Sequence, residues 1–225
     1  MSTIISIFGA NASGKTSLVR DLMARLGKPS PFLYDNKEAG YRFTAPSGQK
    51  VFVLGKYTSA ACGGLDATFN GEPYCDNPLC GKPRTDKAKV CAHCGQPLRK
   101  AADDCTLVVG QLADRGHVVC EGIIAMSSWG HDRLVKQAQD LEAKGHHLVY
   151  ALLNPPWEVV LERLAKRQAA STRKRKTAFD PEKTVRGKHD RMPRTIEKLK
   201  AAGCDARVMR WEDPLPKLLA WLKIS

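Results

Sequence analysis

Residues 9–16 read Gly9-Ala10-Asn11-Ala12-Ser13-Gly14-Lys15-Thr16, an octet that fits the pattern Gly-x4-Gly-Lys-Ser/Thr. Its surroundings constrain the fold as strongly as its letters. The apolar, β-branched run Ile4-Ile5-Ser6-Ile7-Phe8 precedes it, and a helical pattern from Thr16 to Leu26 follows. A strand that passes through a glycine turn into a helix opens an α/β fold. It also builds an anion site. The glycines let backbone N–H groups wrap a polyphosphate, and the helix N-terminus adds positive potential. Gly9, Ala10, Asn11, Ala12, Ser13, Gly14 and Ser17 would then line the phosphates. Lys15 would reach the β- and γ-phosphates, and the Thr16 hydroxyl would ligate Mg²⁺. Placed this way, the octet implies a bound nucleoside triphosphate rather than a mere glycine turn.

The rest of the chain alternates strand and helix signals. Phe32-Leu33-Tyr34 reads as a second strand ending at Asp35, and Tyr41–Thr44 with Lys50–Leu54 as a hairpin around Pro46-Ser47-Gly48. Helical patterns cover residues 101–115 and His131–Lys144, and apolar strands cover His117–Glu121 and His147–Leu153. Trp157–Gln168 is an amphipathic helix, the basic stretch 171–191 breaks the periodicity, and Pro193–Ala202 resumes as a helix. Ala206–Trp211 is the last strand and Pro214–Leu222 the last helix. The expected fold is a three-layer α/β sandwich with five parallel strands, Phe32–Tyr34 supplying the second. A hairpin and a cysteine module are inserted before the third. The 225 residues fit one such domain.

Composition narrows the setting. No apolar run approaches the roughly 20 residues of a membrane span, and the start of the chain lacks a signal-peptide pattern, so a cytoplasmic protein is expected. The formal net charge is +13, and residues 163–194 hold twelve Lys/Arg against three Asp/Glu. Part of that excess suits a basic lid, residues 168–192, over the phosphates. The remainder points to a polyanion, with nucleic acid the first candidate and a solvated basic face the alternative.

Eight cysteines in a cytosolic chain suggest metal before disulfides. Cys75-x4-Cys80 and Cys91-x2-Cys94 stand ten residues apart, and Cys80-Gly81-Lys82-Pro83 is echoed by Cys94-Gly95-Gln96-Pro97. Four thiolates suit a closed, structural Zn²⁺ site, with His93 a conceivable substitute ligand. Such a site would tie together residues 70–100, which are too few to build a core of their own. Cys120 reads as core, and Cys62 as packing within a glycine loop.

Three features favour a kinase over other users of this loop. No Asn/Thr-Lys-x-Asp guanine signature is suitably placed. Glu121 ends an apolar strand, where a carboxylate can hold Mg²⁺ beside Thr16. Arg163 and Arg167 are four residues apart on one helical face, where they can neutralise a transferring phosphoryl group. Glu121-Gly122-Ile123 and the stretch from Val149 to Arg167 resemble small P-loop kinases such as uridine kinase, in which an Arg-x3-Arg pair opens a mobile lid. A hydroxyl acceptor also needs an orienting carboxylate. Asp35 is the first candidate, at a strand end where α/β ligand sites collect. Resemblance to polynucleotide-kinase-like enzymes implies the same role, with a turn or cap as its alternative. Asp66, after Gly63-Gly64, is the second.

Gly55-Lys56-Tyr57, Cys62-Gly63-Gly64-Leu65-Asp66 and Glu121-Gly122-Ile123, taken with the N-terminal loop, resemble the bacteriophage P-loop 5-hydroxymethyluracil DNA kinases of thymine hypermodification. The resemblance implies ATP-dependent phosphorylation of a hydroxymethyl group on a base in DNA, within the host cytoplasm. A base in a duplex must leave the stack to reach such a pocket. Anchoring cations are present at 171–191 and at Lys82, Arg84, Lys87 and Lys89, and Tyr57, Phe69 or Tyr74 could stack on the base. Two alternatives stand beside this reading: a nucleoside or nucleoside-monophosphate kinase, and a nucleotide-dependent nucleic-acid-binding module without transfer.

Overall fold

Burial on both faces decides which segments form the centre of the sheet. Strand β1 (Thr3–Phe8) sends Ile4 and Phe8 into one apolar cluster and Ile5 and Ile7 into another. Such a strand has no face to give to water, so it must lie mid-sheet with helices above and below. The computed structural model describes residues 1–34, 37–57, 64–65, 101–122, 131–170 and 179–224, and in it β1 has that place. Seven strands of the described residues form one sheet: β2 (Ser30–Tyr34), β3 (Lys37–Thr44), β4 (Lys50–Leu54), β5 (His117–Glu121), β1, β6 (His147–Leu153) and β7 (Asp205–Met209), in that order. From β4 to β7 all neighbours are parallel, whereas β2, β3 and β4 pair antiparallel.

Two expectations about the sheet are corrected here. The second parallel strand is Lys50–Leu54, not Phe32–Tyr34, and the antiparallel β2 and β3 extend the five parallel strands to a sheet of seven. Val51 and Val53 enter one cluster while Phe52 and Leu54 enter the other, the two-sided burial that a parallel strand needs. Leu33 is 67% exposed, and β2 is accordingly an outer strand of an antiparallel meander. The hairpin is real, but its second arm belongs to the parallel core.

Helix α1 (Lys15–Leu26) buries Leu18, Val19, Leu22 and Leu26, one stripe at helical spacing. With α6 (Leu215–Leu222) it covers the face carrying Ile5, Val53 and Ala151. The opposite face carries Ile4, Val118 and Tyr150. It is covered by α2 (Ala101–Ala113), α3 (His131–Glu142) and α5 (Gly187–Ala201) through Val108, Leu134 and Ile196. Helix α1, which follows β1, and α3, the next described helix after β5, therefore lie on opposite faces of the sheet. That divergence opens a crevice at the carboxyl ends of β1 and β5.

Helix α4 (Trp157–Ala169) builds a third, smaller cluster at this end, where Trp157, Val160 and Leu164 meet Ala10 and Val185. Val185 lies in a π-helical turn, Glu182–Arg186, that runs directly into α5. Helix therefore resumes well before Pro193, contrary to the sequence expectation. The wider turn shifts the phase of the repeat, yet Val185, His189, Met192, Ile196 and Leu199 all face inward.

Candidate functional site

The loop from Gly9 to Gly14 curls at the end of β1, and its shape depends on close approach. A Cβ at Gly9 would stand 2.3 Å from the Leu153 carbonyl oxygen, so only glycine lets β1 and β6 end this near each other. Lys15 opens α1 but is 7% exposed, and its side chain folds back into the loop. Its ammonium donates to the carbonyl oxygens of Gly9 and Ala10 at 2.9 and 3.0 Å. A buried ammonium needs such acceptors, and an anion entering the loop can exchange for them. Ser13 is buried beside it, whereas Ser17 points out from α1.

Thr16 is the next residue of the helix. Its hydroxyl donates to Glu121 Oε1 at 2.8 Å, across the crevice between β1 and β5. The register sets this meeting, because Ile7 lies opposite Glu121 in the β1–β5 pairing. Glu121 is 3% exposed. A hydroxyl and a carboxylate at that separation are the hard oxygen donors that Mg²⁺ accepts. Glu121 is also held from a third direction. Gly64, at φ +80°, lies so close that a Cβ there would be 2.4 Å from the Glu121 carbonyl and 2.6 Å from Oε1. Gly55 backs Gly64 in turn, since its own Cβ would be 2.4 Å from the Gly64 Cα.

Arg163 on α4 reaches the outer side of the loop. It donates to the Ser13 carbonyl oxygen at 2.9 Å, with the Ala12 carbonyl at 3.5 Å, and its guanidinium lies 5.5 Å from the centre of the Trp211 ring. In a planar trans peptide the N–H points away from the carbonyl. With the Ser13 carbonyl turned out toward Arg163, the Gly14 N–H is turned to the inner side. Arg167, one helical turn on, is exposed. Below them the π-helical turn is fastened to α4. The Trp157 indole N–H donates to Glu182 at 2.9 Å, and Arg186 lies over the Trp157 ring. His189 and then Arg186 hold the Asp190 carboxyl below its ordinary range.

Two side-chain oxygens at this end are buried with no hydrogen-bond partner among the described residues, Asn11 Oδ1 and Asn154 Oδ1. Asn154 follows β6 directly, and the sequence marks it only as part of a turn. Trp211 is a second residue that the sequence reading missed. Its signal was its place at the end of the expected last strand, which in the structure stops at Met209. Cys120 behaves as expected: burial pushes its thiol up to about 12, so it stays protonated within the core. Asp35, Cys62 and Asp66, together with Cys75, Cys80, Cys91 and Cys94, lie outside the described residues. Among the described residues no three His, Cys, Asp or Glu side chains are grouped to hold a metal ion. No described helix is long and apolar enough to cross a membrane.

No protein-family model matches the chain. The chain is similar to the 5-hmdU DNA kinase of Pseudomonas phage M6, with 26% identity over 227 aligned residues that cover 96% of this chain and 95% of that protein. Coverage of nearly both whole chains supports the phage kinase family to which the short motifs pointed.

Proposed function

We propose that the chain is an ATP-dependent P-loop kinase whose acceptor is the 5-hydroxymethyl group of 5-hydroxymethyluracil in DNA. The contact that carries the kinase reading is Thr16 Oγ1 against Glu121 Oε1, two metal-type donors at the mouth of a glycine loop that already holds a lysine ammonium. The relative's name supports the acceptor. Mg²⁺ at Thr16 and Glu121 would draw charge from the β- and γ-phosphates. The chain's own groups do the rest. Lys15 leaves the Gly9 and Ala10 carbonyls for phosphate oxygens, the Gly14 N–H donates inward, and Arg163 holds the loop in that shape. Arg167 neutralises charge on the group in transit. Asn11 and Asn154 carry buried oxygens without a partner among the described residues, and donors on the bound nucleotide would satisfy them.

A carboxylate takes the proton of the acceptor hydroxyl as its oxygen bonds the γ-phosphorus and ADP departs. Asp66 is favoured over Asp35 for this. Asp66 follows Gly64, which touches Glu121, by two residues of chain. Strand β2, which precedes Asp35, lies four strands from β1, about 19 Å at ordinary spacing. Cys75, Cys80, Cys91 and Cys94 would hold a structural Zn²⁺ in the 70–100 insertion, and the basic lid expected over 168–192 would be confined to the part before the π-helical turn, because Val185, His189 and Met192 are packed into the core.

The test incubates the protein with γ-labelled ATP and either hydroxymethyluracil-containing duplex, unmodified duplex or free nucleotides. Label is expected on the modified duplex alone. Label only on nucleotides would replace this reading with a nucleoside-type kinase, and DNA binding without label would leave a binding module. Lys15→Ala is expected to lower transfer at least about 100-fold. Asp66→Asn should do the same while Asp35→Asn retains most of it; the reverse result would reinstate Asp35.

A further inference from the structure

Helix α5 sorts its charges by direction. At about 100° per residue, the inward positions Val185, His189, Met192, Ile196 and Leu199 define one side. Both exposed acids of the helix fall on one flank, and each is taken by a cation: Arg186 bonds Asp190 at 2.9 Å, and Lys200 bonds Glu197 at 2.9 Å. The other flank carries Lys188, Arg191, Arg194 and Lys198 within an arc of roughly 120°. All four are exposed, and none has an acidic partner among the described residues. A helix made basic merely for solubility has no reason to collect its acids on one side.

We propose that this flank of α5 is a contact surface for the backbone of duplex DNA, a surface that rests on the DNA-kinase reading above. From Lys188 to Lys198 is ten residues, about 15 Å of helix. One strand of B-DNA carries about four phosphates over that length, one for each cation. The position suits the task. The preceding π-helical turn packs against Ala10 of the loop through Val185, and His189 meets the Pro155 carbonyl just beyond β6 at 2.9 Å. The stripe thus begins beside the crevice, and a duplex lying along it keeps one end near the phosphate loop.

The test compares three full-length proteins: wild type, a variant with Lys188, Arg191, Arg194 and Lys198 all changed to Gln, and a control with exposed Lys28, Lys136, Lys144 and Lys217 changed to Gln. Binding of a fluorescent duplex, with and without hydroxymethyluracil, is titrated over salt concentration. The thermal midpoint and ATP-analogue binding report folding. Neutralising the stripe should weaken binding to both duplexes at least tenfold near 0.1 M salt and flatten the log–log salt slope by about 3 to 4, the control changing little. Equal losses in both variants, an unchanged slope in the stripe variant, or no duplex binding by wild type would each overturn the proposal. Wild type that binds through the stripe but transfers no label would sink the kinase reading and leave the surface. Transfer by wild type with an unchanged KM for DNA in the stripe variant would do the opposite.

Discussion

Thr16 and Glu121 meet through the β1–β5 register, and Gly64, backed by Gly55, presses on Glu121 with little slack. Gly64 is both left-handed and pressed on the Glu121 carboxylate. Adding one methyl group there must either strain the backbone or push the carboxylate off Thr16. Gly64→Ala should therefore cost about 1–3 kcal/mol of stability. It should also raise the Mg²⁺ concentration needed for half-maximal transfer. Denaturant unfolding measures the first effect and a metal titration of activity the second. Unchanged metal dependence in a destabilised variant would show that Glu121 keeps its place without Gly64. The same crowding explains why a small residue is needed at Gly55, which lies behind Gly64 and touches no functional group itself.

At the scale of elements, the difference between β4 and β2 is a difference in burial that mutation can read. Phe52 is buried and stacks edge-on with Phe32 at 5.9 Å, while Leu33 is largely exposed. Phe52→Ala should cost about 3–5 kcal/mol. Leu33→Ala should stay within about 0.5 kcal/mol, both measured by denaturant unfolding. Similar losses at the two sites would contradict the strand order. The sequence made β1, β5 and β6 legible because each is an uninterrupted apolar run between clear turns. It misplaced β2 and β4 because Phe32-Leu33-Tyr34 and Val51-Phe52-Val53-Leu54 look alike in a short window, and only their neighbours distinguish them. The start of this helix was hidden for a local reason: its inward positions keep helical spacing, but before Pro193 they are filled only by Val185, His189 and Met192 among charged residues. At the site, Lys15, Thr16 and Glu121 could be read from motif and strand end. The contacts of Gly64 and of Arg163 could not, since each joins residues far apart in sequence.

The whole molecule also carries a pH dependence at the end of the sheet opposite the crevice. His117 begins β5, and burial, followed by the nearby positive charge of Lys223, holds its pKa below the ordinary 6.5. Its Nδ1 accepts the Thr3 N–H at 3.0 Å, a role that requires the ring's lone pair. The unfolded chain takes up this proton near pH 6.5 whereas the folded chain resists it, so the His117 contribution to stability is present above that pH and is lost as pH falls toward the folded pKa. The thermal midpoint should drop between pH 7 and pH 5, and His117→Asn should flatten that drop. An unchanged slope in the variant would assign the dependence elsewhere. At the crevice end, Arg163 joins the first loop of the chain to a residue near its last helix, with the Ser13 carbonyl on one side and the Trp211 ring on the other. An indole's emission responds to a charge held against its face, so this tryptophan is an optical reporter of loop occupancy. Addition of ATP and Mg²⁺ should change the intrinsic fluorescence of the wild type, Trp211→Phe should remove most of the change, and Trp221→Phe should leave it. The protein then needs no attached dye for its nucleotide affinity to be read, even in variants that no longer transfer phosphate.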